Sequence, residues 1–346
     1  MSTLAVSLLS VVVAFVIALV FGRWAAPIGR HLGLLDFPDS HGGRKLHAAI
    51  TPLVGGSAVF AGTLAACALT LLLLPTGPWV VQHLAWLAGG LTAMYLIGLA
   101  DDRFALGAVI RLILSIVALL IVLTYAPDFS IAFMRFSGQS TVLPVEGWGD
   151  AFALLCLVGL LNAVNMSDGK NGIVLSQALI WSAVLALRLP EPMLPVLAGA
   201  ATTLAVMLVF NLRGKLFIGD SGSYVISTLF GLLAIYAYNH DFAVMRADDV
   251  AVMFAIPVFD TIRLMTVRVA AGGSPFMGDR NHLHHHLHRD FGWPRGLIAY
   301  VALVSVPNFG AVLLPGTGIA WLGVSLVLYA ATLVLSRGHR LPSPPT

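Results

Sequence analysis

Eleven stretches of this chain are predominantly apolar for close to a membrane's thickness, centred near residues 13, 64, 92, 117, 158, 180, 202, 231, 260, 305 and 327. About 20 such residues in a helix cross the hydrocarbon layer of a bilayer. The expected fold is therefore all-α, a polytopic membrane protein of about 11 transmembrane helices. With 58% hydrophobic and only 10% charged residues, and a mean hydropathy of +0.92, a soluble globular protein is excluded, since those carry about a quarter charged residues. No room is left for a separate soluble domain, so residues 1–340 read as one integral-membrane unit and the Pro-rich 341–346 as a disordered tail. The first run, Leu4 to Phe21, lacks a basic start and a small-residue cleavage site and reads as a retained helix. Cys67 and Cys156 both fall within expected spans, so no disulfide framework is expected.

Charge becomes informative once it is sorted by side. When alternate connections are assigned to one face, that face holds 16 of the 19 Lys and Arg, and only Arg135, Arg188 and Arg246 fall opposite. The positive-inside rule makes the rich face cytoplasmic, with the N-terminus outside and the C-terminus inside. The longest outer connection, Pro127 to Asp150, alternates apolar residues and is expected to hold a short hairpin.

On the basic face, Met94-Tyr-Leu-Ile-Gly-Leu-Ala ends in Asp101-Asp102-Arg103. An ionised Asp costs roughly 2.5–3.5 kcal/mol at mid-bilayer, which places the pair at the membrane surface. Adjacent carboxylates repel, and on a helix they point about 100° apart, so each needs its own cationic partner. A divalent metal or a phosphate ligand with its metal meets that need; a solvated helix end neutralised by Arg103 is the plainer alternative.

Four more connections on this face are unusually polar. The first is the Gly- and Pro-broken loop from Gly33 to Gly56, where Arg44, Lys45 and His47 are placed to meet phosphates, although positive-inside bias alone also puts basic residues there. Asn162, Asn165, Asp168 and Lys170 close the fifth span with more polar groups than a helix cap requires. After the seventh span, Lys215 and the sequence Gly219-Asp220-Ser221-Gly222 precede a helix, an arrangement suited to a hard cation, or to a cap alone. Finally, Asp260 and Arg263 stand three apart in the ninth span, followed by Ser274 to Arg289 with Asp279, Arg280 and five histidines, His282, His284, His285, His286 and His288. Such a cluster fits zinc or nickel, a grip on diphosphate and sugar hydroxyls, or a solvated surface, and no Cys or Glu completes a usual metal set.

With every such cluster on one face, the chemistry that needs them joins a phosphorylated water-soluble donor to a membrane-embedded acceptor. His47 to Gly56, Asp101-Asp102-Arg103, Asn162 to Gly172, Phe217 to Ser223 and Ser274 to His288 resemble, in order and spacing, the motifs of the polyprenyl-phosphate N-acetylhexosamine-1-phosphate transferases. The likeness runs from about residue 30 to 295. The form of the histidine loop resembles the branch that makes undecaprenyl-diphosphate N-acetylglucosamine for O-antigen, common antigen or teichoic acid more than the phospho-MurNAc-pentapeptide transferase.

The resemblance implies a bacterial inner-membrane enzyme that moves a sugar 1-phosphate from a UDP-N-acetylhexosamine to undecaprenyl phosphate. It implies Mg2+, or Mn2+ in its place, on Asp220 with Asp168 and Asp102 near the metal or diphosphate, and Asp101 deprotonating or orienting the lipid phosphate. By the same resemblance Lys45 and His47 face phosphate, Asn165 the nucleotide, and Asp279, Arg280, His282, His284, His285 and His286 the sugar and diphosphate; Asn162 and Lys215 join them as substrate-binding candidates. Direct attack by the lipid phosphate is expected over a covalent aspartyl-phosphate. Many members of the branch carry Asp where this chain has Ala105 and Asn171, which bears on the cation and on the choice of hexosamine. No nucleic-acid partner is expected, and a homodimer stays open. The other readings are a His-rich metal transporter, which needs charges along a path through the membrane, and a non-catalytic scaffold, which would have lost a key carboxylate.

Overall fold

The computed structural model describes residues 1–38, 49–145, 147–240, 245–274 and 281–337. The apolar runs form helices α1 (Thr3–Arg23), α2 (Ala25–Leu32), α3 (Gly55–Leu73), α4 (Pro78–Phe104), α5 (Ala108–Tyr125), α6 (Gly149–Ser167), α7 (Ile173–Ala186), α8 (Leu194–Leu212), α9 (Gly219–His240), α10 (Ala247–Ala270), α11 (Leu283–Phe291), α12 (Arg295–Leu313) and α13 (Gly318–Arg337). Ten of these are long and apolar enough to cross a membrane. The protein is thus an all-α, multi-pass membrane protein. The eleventh expected span, near residue 180, is the 14-residue α7, which is about 21 Å long at 1.5 Å per residue. Gly172, with φ +91°, delays its start. It can be short because nearly all of it is buried among other helices rather than matched to lipid.

The hairpin expected between Pro127 and Asp150 is present: β3 (Phe133–Met134) pairs antiparallel with β4 (Leu143–Pro144). A second two-stranded ribbon precedes it in the chain, in which β1 (Leu35–Asp36) pairs with β2 (Thr51–Pro52) and so ties α2 to the start of α3.

Helix α9 is the axis of the molecule, buried from Ser221 to Tyr238. Glycines bring its neighbours close to its first turn. A Cβ on Gly56 of α3 would lie 2.3 Å from the Gly222 nitrogen, and one on Gly98 of α4 would lie 2.5 Å from the Ser221 Cα. No real Cβ tolerates such distances, so the site end of α9 can be approached by two backbones only at these residues. Around α9, Leu87, Leu91, Met94, Val225, Leu229 and Phe230 belong to the larger of two buried apolar clusters. The smaller one joins α7 and α10 to α11, α12 and α13 through Ile180, Ile256, Leu287, Tyr300 and Leu333. Within α10, Pro257 removes the N–H that would reach the Met253 carbonyl; the Trp181 indole of α7 donates to that carbonyl instead, at 2.7 Å. Cys67 is buried, whereas Cys156 is exposed on the outside of the bundle.

Candidate active site

The last turn of α4 delivers Asp101 and Asp102 to the first turn of α9. Asp102 Oδ1 accepts the Asp220 N–H at 2.7 Å and Oδ2 accepts the Ser221 N–H at 3.0 Å. The carboxylate therefore caps α9 in trans, supplying acceptors for two of the N–H groups that a helix start leaves unpaired and a negative charge for its positive end. Gly219 makes this approach feasible: its φ is +68°, and a Cβ there would lie 2.7 Å from both Asp102 oxygens. The expectation that each Asp of the pair needs a separate cation is corrected for Asp102, whose partner is a helix terminus.

Asp101, almost fully buried, has a true cation. Arg111, in the first turn of α5, sits 2.5 Å from Asp101 Oδ2 and 3.6 Å from Asp220 Oδ2. The Asp101 and Asp220 carboxyls lie side by side beneath it, and the Tyr224 hydroxyl stands next to Arg111. Sequence reasoning missed Arg111 because it counted only as part of the basic face. The available signal was the short connection at Gly107, which folds α5 back so that its first turn meets the last turn of α4.

Asn165 of α6 donates its amide to Asp220 Oδ1 at 2.5 Å and to Ser223 Oγ at 3.1 Å. It orients Asp220 through its amide nitrogen. Asn162, one turn earlier, donates back to the Val158 carbonyl of its own helix. Asp168, just beyond α6, faces the opening, yet the protein mass around it and the neighbouring Asp102 raise its carboxyl to about 7. Lys170 follows, its ammonium lowered by burial.

Helix α11 closes this side. The His284 ring is buried with its Nε2 against Gly169, where a Cβ would come within 2.2 Å of that atom. Burial, with His285 and His282 adjoining, holds His284 well below the usual imidazole range, so it is neutral at pH 7. His282 stacks on His284 with ring centres 5.3 Å apart, and His285 tilts against His284 at 4.2 Å. His286 departs from the expectation: its Nε2 meets Asn281 Oδ1 at 2.8 Å and its Nδ1 meets Ser336 Oγ at 3.1 Å, so it ties α11 to α13 rather than facing a substrate. Lys215 is exposed, with its ammonium over the Phe210 ring at 5.8 Å; among the described residues it makes no contact with the carboxylates. Lys45, His47, Asp279 and Arg280 lie outside the described residues.

Asp101, Asp102, Asp168 and Asp220 thus share one recess with Arg111. Among the described residues no three His, Cys, Asp or Glu side chains converge as a ready-made cage for a metal. Mg2+ does not ask for one, since it takes one or two carboxylates along with waters and substrate phosphates. The hard oxygen donors and the raised Asp168 carboxyl fit such a cation, which would relieve the crowding of negative charge. Asp220 and Asp168 could hold it, since neither side chain accepts a backbone N–H among the described residues, whereas Asp102 accepts one on each oxygen.

The fold and the recess define a polytopic helical membrane protein with an anionic site at one face, built from the ends of four helices. Residues 84–238 match the family model described as "Glycosyl transferase family 4", a segment that includes all four of these Asp residues and Arg111. The chain is 24% identical over 291 residues to the probable undecaprenyl-phosphate N-acetylglucosaminyl 1-phosphate transferase of Bacillus subtilis (strain 168), covering 81% of this chain and 78% of that protein. It is 28% identical to the decaprenyl-phosphate N-acetylglucosaminephosphotransferase of Mycolicibacterium smegmatis (92% and 86% covered). The undecaprenyl-phosphate alpha-N-acetylglucosaminyl 1-phosphate transferase of Salmonella typhimurium is 27% identical (88% and 81% covered). Over residues 84–238 the chain is similar to glycosyl transferase family 4, and over most of its length to proteins named as polyprenyl-phosphate N-acetylglucosamine-1-phosphate transferases.

Proposed function

We propose that this protein transfers N-acetylglucosamine 1-phosphate from UDP-N-acetylglucosamine to undecaprenyl phosphate, giving the lipid diphosphate-sugar and UMP, as the first step of a cell-envelope polysaccharide. The observation that carries the reading is the meeting of Asp101, Asp102, Asp168 and Asp220 with Arg111 at membrane-helix ends, beside the histidines of α11. The positive-inside rule assigns this face to the cytoplasm, where the nucleotide sugar is, with the N-terminus outside and the C-terminus inside.

In this reading an oxygen of the lipid phosphate attacks the sugar-bearing phosphorus of the donor. One P–O bond forms, the P–O bond to the UMP phosphate breaks, and that oxygen leaves with UMP. Arg111, held by Asp101 and Asp220, offsets charge that builds on the transferring phosphoryl group. Asn165 keeps Asp220 turned toward the opening. His282 and His285 face the donor, and His284, neutral and sealed against Gly169, forms the wall behind them. Mg2+ held by Asp220 and Asp168 would neutralise the donor diphosphate when bound. Direct attack is favoured over an aspartyl-phosphate because Asp102 has both oxygens hydrogen-bonded and Asp101 is paired with Arg111, which lowers the nucleophilicity of each. Against a transporter, α9 carries no charged residue between Asp220 and its last residue, His240.

The test is UMP release by the purified protein in detergent with undecaprenyl phosphate, Mg2+ and UDP-N-acetylglucosamine. Release that requires the lipid and is lost in Asp220→Ala supports the reading. Release only with another UDP-N-acetylhexosamine corrects the sugar, and silence with all of them refutes the enzyme.

A further inference from the structure

Asp260 lies in α10, on the α13 side of the recess, and is 6% exposed. Its carboxylate collects five donated hydrogen bonds. Oδ1 accepts from Arg263 at 2.8 Å and from the Tyr329 hydroxyl of α13 at 2.9 Å. Oδ2 accepts from His282 Nδ1 at 3.1 Å, and the Leu283 N–H, the first of α11, reaches both oxygens at 3.2 Å. Arg263 braces the arrangement, donating through Nε to the Tyr329 oxygen at 2.7 Å and through Nη2, the nitrogen that also reaches Asp260, to the Asn281 carbonyl at 2.5 Å.

A cap for α11 and a neutralised charge would already be served by Leu283 and Arg263. The bond to His282 does something additional. An ionised carboxylate can only accept, so Nδ1 must carry the hydrogen, and the neutral ring then has its lone pair on Nε2. That ring stacks on His284, itself pressed onto Gly169 beside Asp168. Carboxylate to imidazole to recess is the arrangement by which outer partners fix the tautomer and direction of a working histidine.

We propose that Asp260 is a positioning residue, which acts through His282 by fixing its Nδ1–H tautomer and turning Nε2 toward the donor substrate. The inference rests on the transferase reading for what Nε2 meets, but not for the tautomer. Tyr329 and Arg263 are its supports: they hold the carboxylate in place without touching the imidazole.

Two readouts separate the inference from the reading beneath it. The first is the 15N spectrum of the histidine-labelled protein, with His282 assigned by comparison with His282→Gln. The expected result is Nδ1–H and bare Nε2 in the wild type, and loss of that form in Asp260→Asn, whose amide can donate to Nδ1 instead. A wild-type His282 protonated only on Nε2 overturns the proposal, whether or not the protein turns over. The second readout is a double-mutant cycle on UMP release. Asp260→Asn, which also weakens the pairing with Arg263 and is therefore assayed below its lowered melting temperature, is expected to lower kcat/KM tenfold or more, and to cost less than threefold in the His282→Gln background. Tyr329→Phe, which removes a bond to the same carboxylate but leaves His282 paired, is expected to stay within threefold of wild type. Equal losses from Asp260→Asn in both backgrounds overturn the proposal. If the wild type releases no UMP, the transferase reading fails, and the tautomer still decides the role of Asp260.

Discussion

Asp102 is bound to the residue that follows Gly219 through that residue's backbone: its Oδ1 accepts the Asp220 N–H at 2.7 Å, while the Asp220 side chain turns to Asn165 and Arg111. The direction in which the Asp220 carboxylate points is thus set by a second carboxylate that holds the helix beneath it. Asp102→Ala removes the acceptor of two N–H groups and the anion at the α9 start. It should destabilise the protein by about 1–3 kcal/mol, with Asp102→Asn keeping part of that. Thermal unfolding in detergent checks this, with Asp168→Ala, which removes no hydrogen bond found among the described residues, as the variant expected to lose activity but little stability.

Arg111 is the guanidinium that links Asp101 to Asp220. Arg111→Gln should lower kcat by roughly 10²-fold, the scale seen when one group that stabilises transition-state charge is lost. Arg111→Lys should recover part of the loss, since it keeps the charge but not the planar fork. Steady-state UMP release measures both, and an Arg111→Gln rate equal to wild type would remove Arg111 from the chemistry.

The glycines around α9 predict a contrast. Gly56→Ala puts a Cβ 2.3 Å from the Gly222 nitrogen, and neither backbone can yield without moving Asp220. Activity should fall more than tenfold with a lowered melting temperature. Gly159→Ala, in α6, meets nothing within 4 Å, and should be neutral or stabilising by up to about 1 kcal/mol from helix propensity. Measuring the pair together separates a local clash from a general sensitivity of the bundle.

Ala105 ends α4 in the left-handed region, with φ +49°, and its N–H donates to the Asp101 carbonyl at 2.8 Å. A residue with a Cβ is strained there by about 1 kcal/mol relative to Gly. Ala105→Gly should therefore raise stability by about that amount with activity unchanged. Asn and Asp also tolerate this backbone, so an Asp here would serve as a helix end as well as a charge.

Burial lowers His284 well below the usual imidazole range and lowers His286 as well. In the unfolded chain such rings take up a proton near pH 6.5. Because the folded state resists that proton, their contribution to stability is full above about 6.5 and is lost as pH falls below it. The raised Asp168 carboxyl acts in the opposite sense and is common to both proteins, so the expected outcome is a difference: between pH 7 and 5 the melting temperature of the wild type should fall relative to that of a His284→Gln variant. A pH slope unchanged by that variant would contradict the assignment.

Much of the architecture was legible in the amino-acid order. Ten of eleven spans, the hairpin between α5 and α6 and the gathering of Asp101, Asp102, Asp168 and Asp220 at one face follow from run length and from where ionisable residues interrupt it, because a bilayer penalises charge and unpaired backbone so heavily. The short α7 was not legible, since an apolar run does not say whether lipid or protein surrounds it. Nor was the division of labour within the polar clusters. Asn162, Asn165 and His286 look like equal candidates along the chain, yet one bonds its own helix, one orients Asp220 and one fastens α11 to α13. Arg111 and Asp260 gained their places only when α5 folded back on α4 and α11 docked on α10. Sequence determined that polar groups would stand at the membrane face, through the cost of burying them in lipid. Tertiary structure decided which would be spent on holding helices and which left for chemistry, because a hydrogen bond depends on distances of a few tenths of an ångström between residues far apart in the chain.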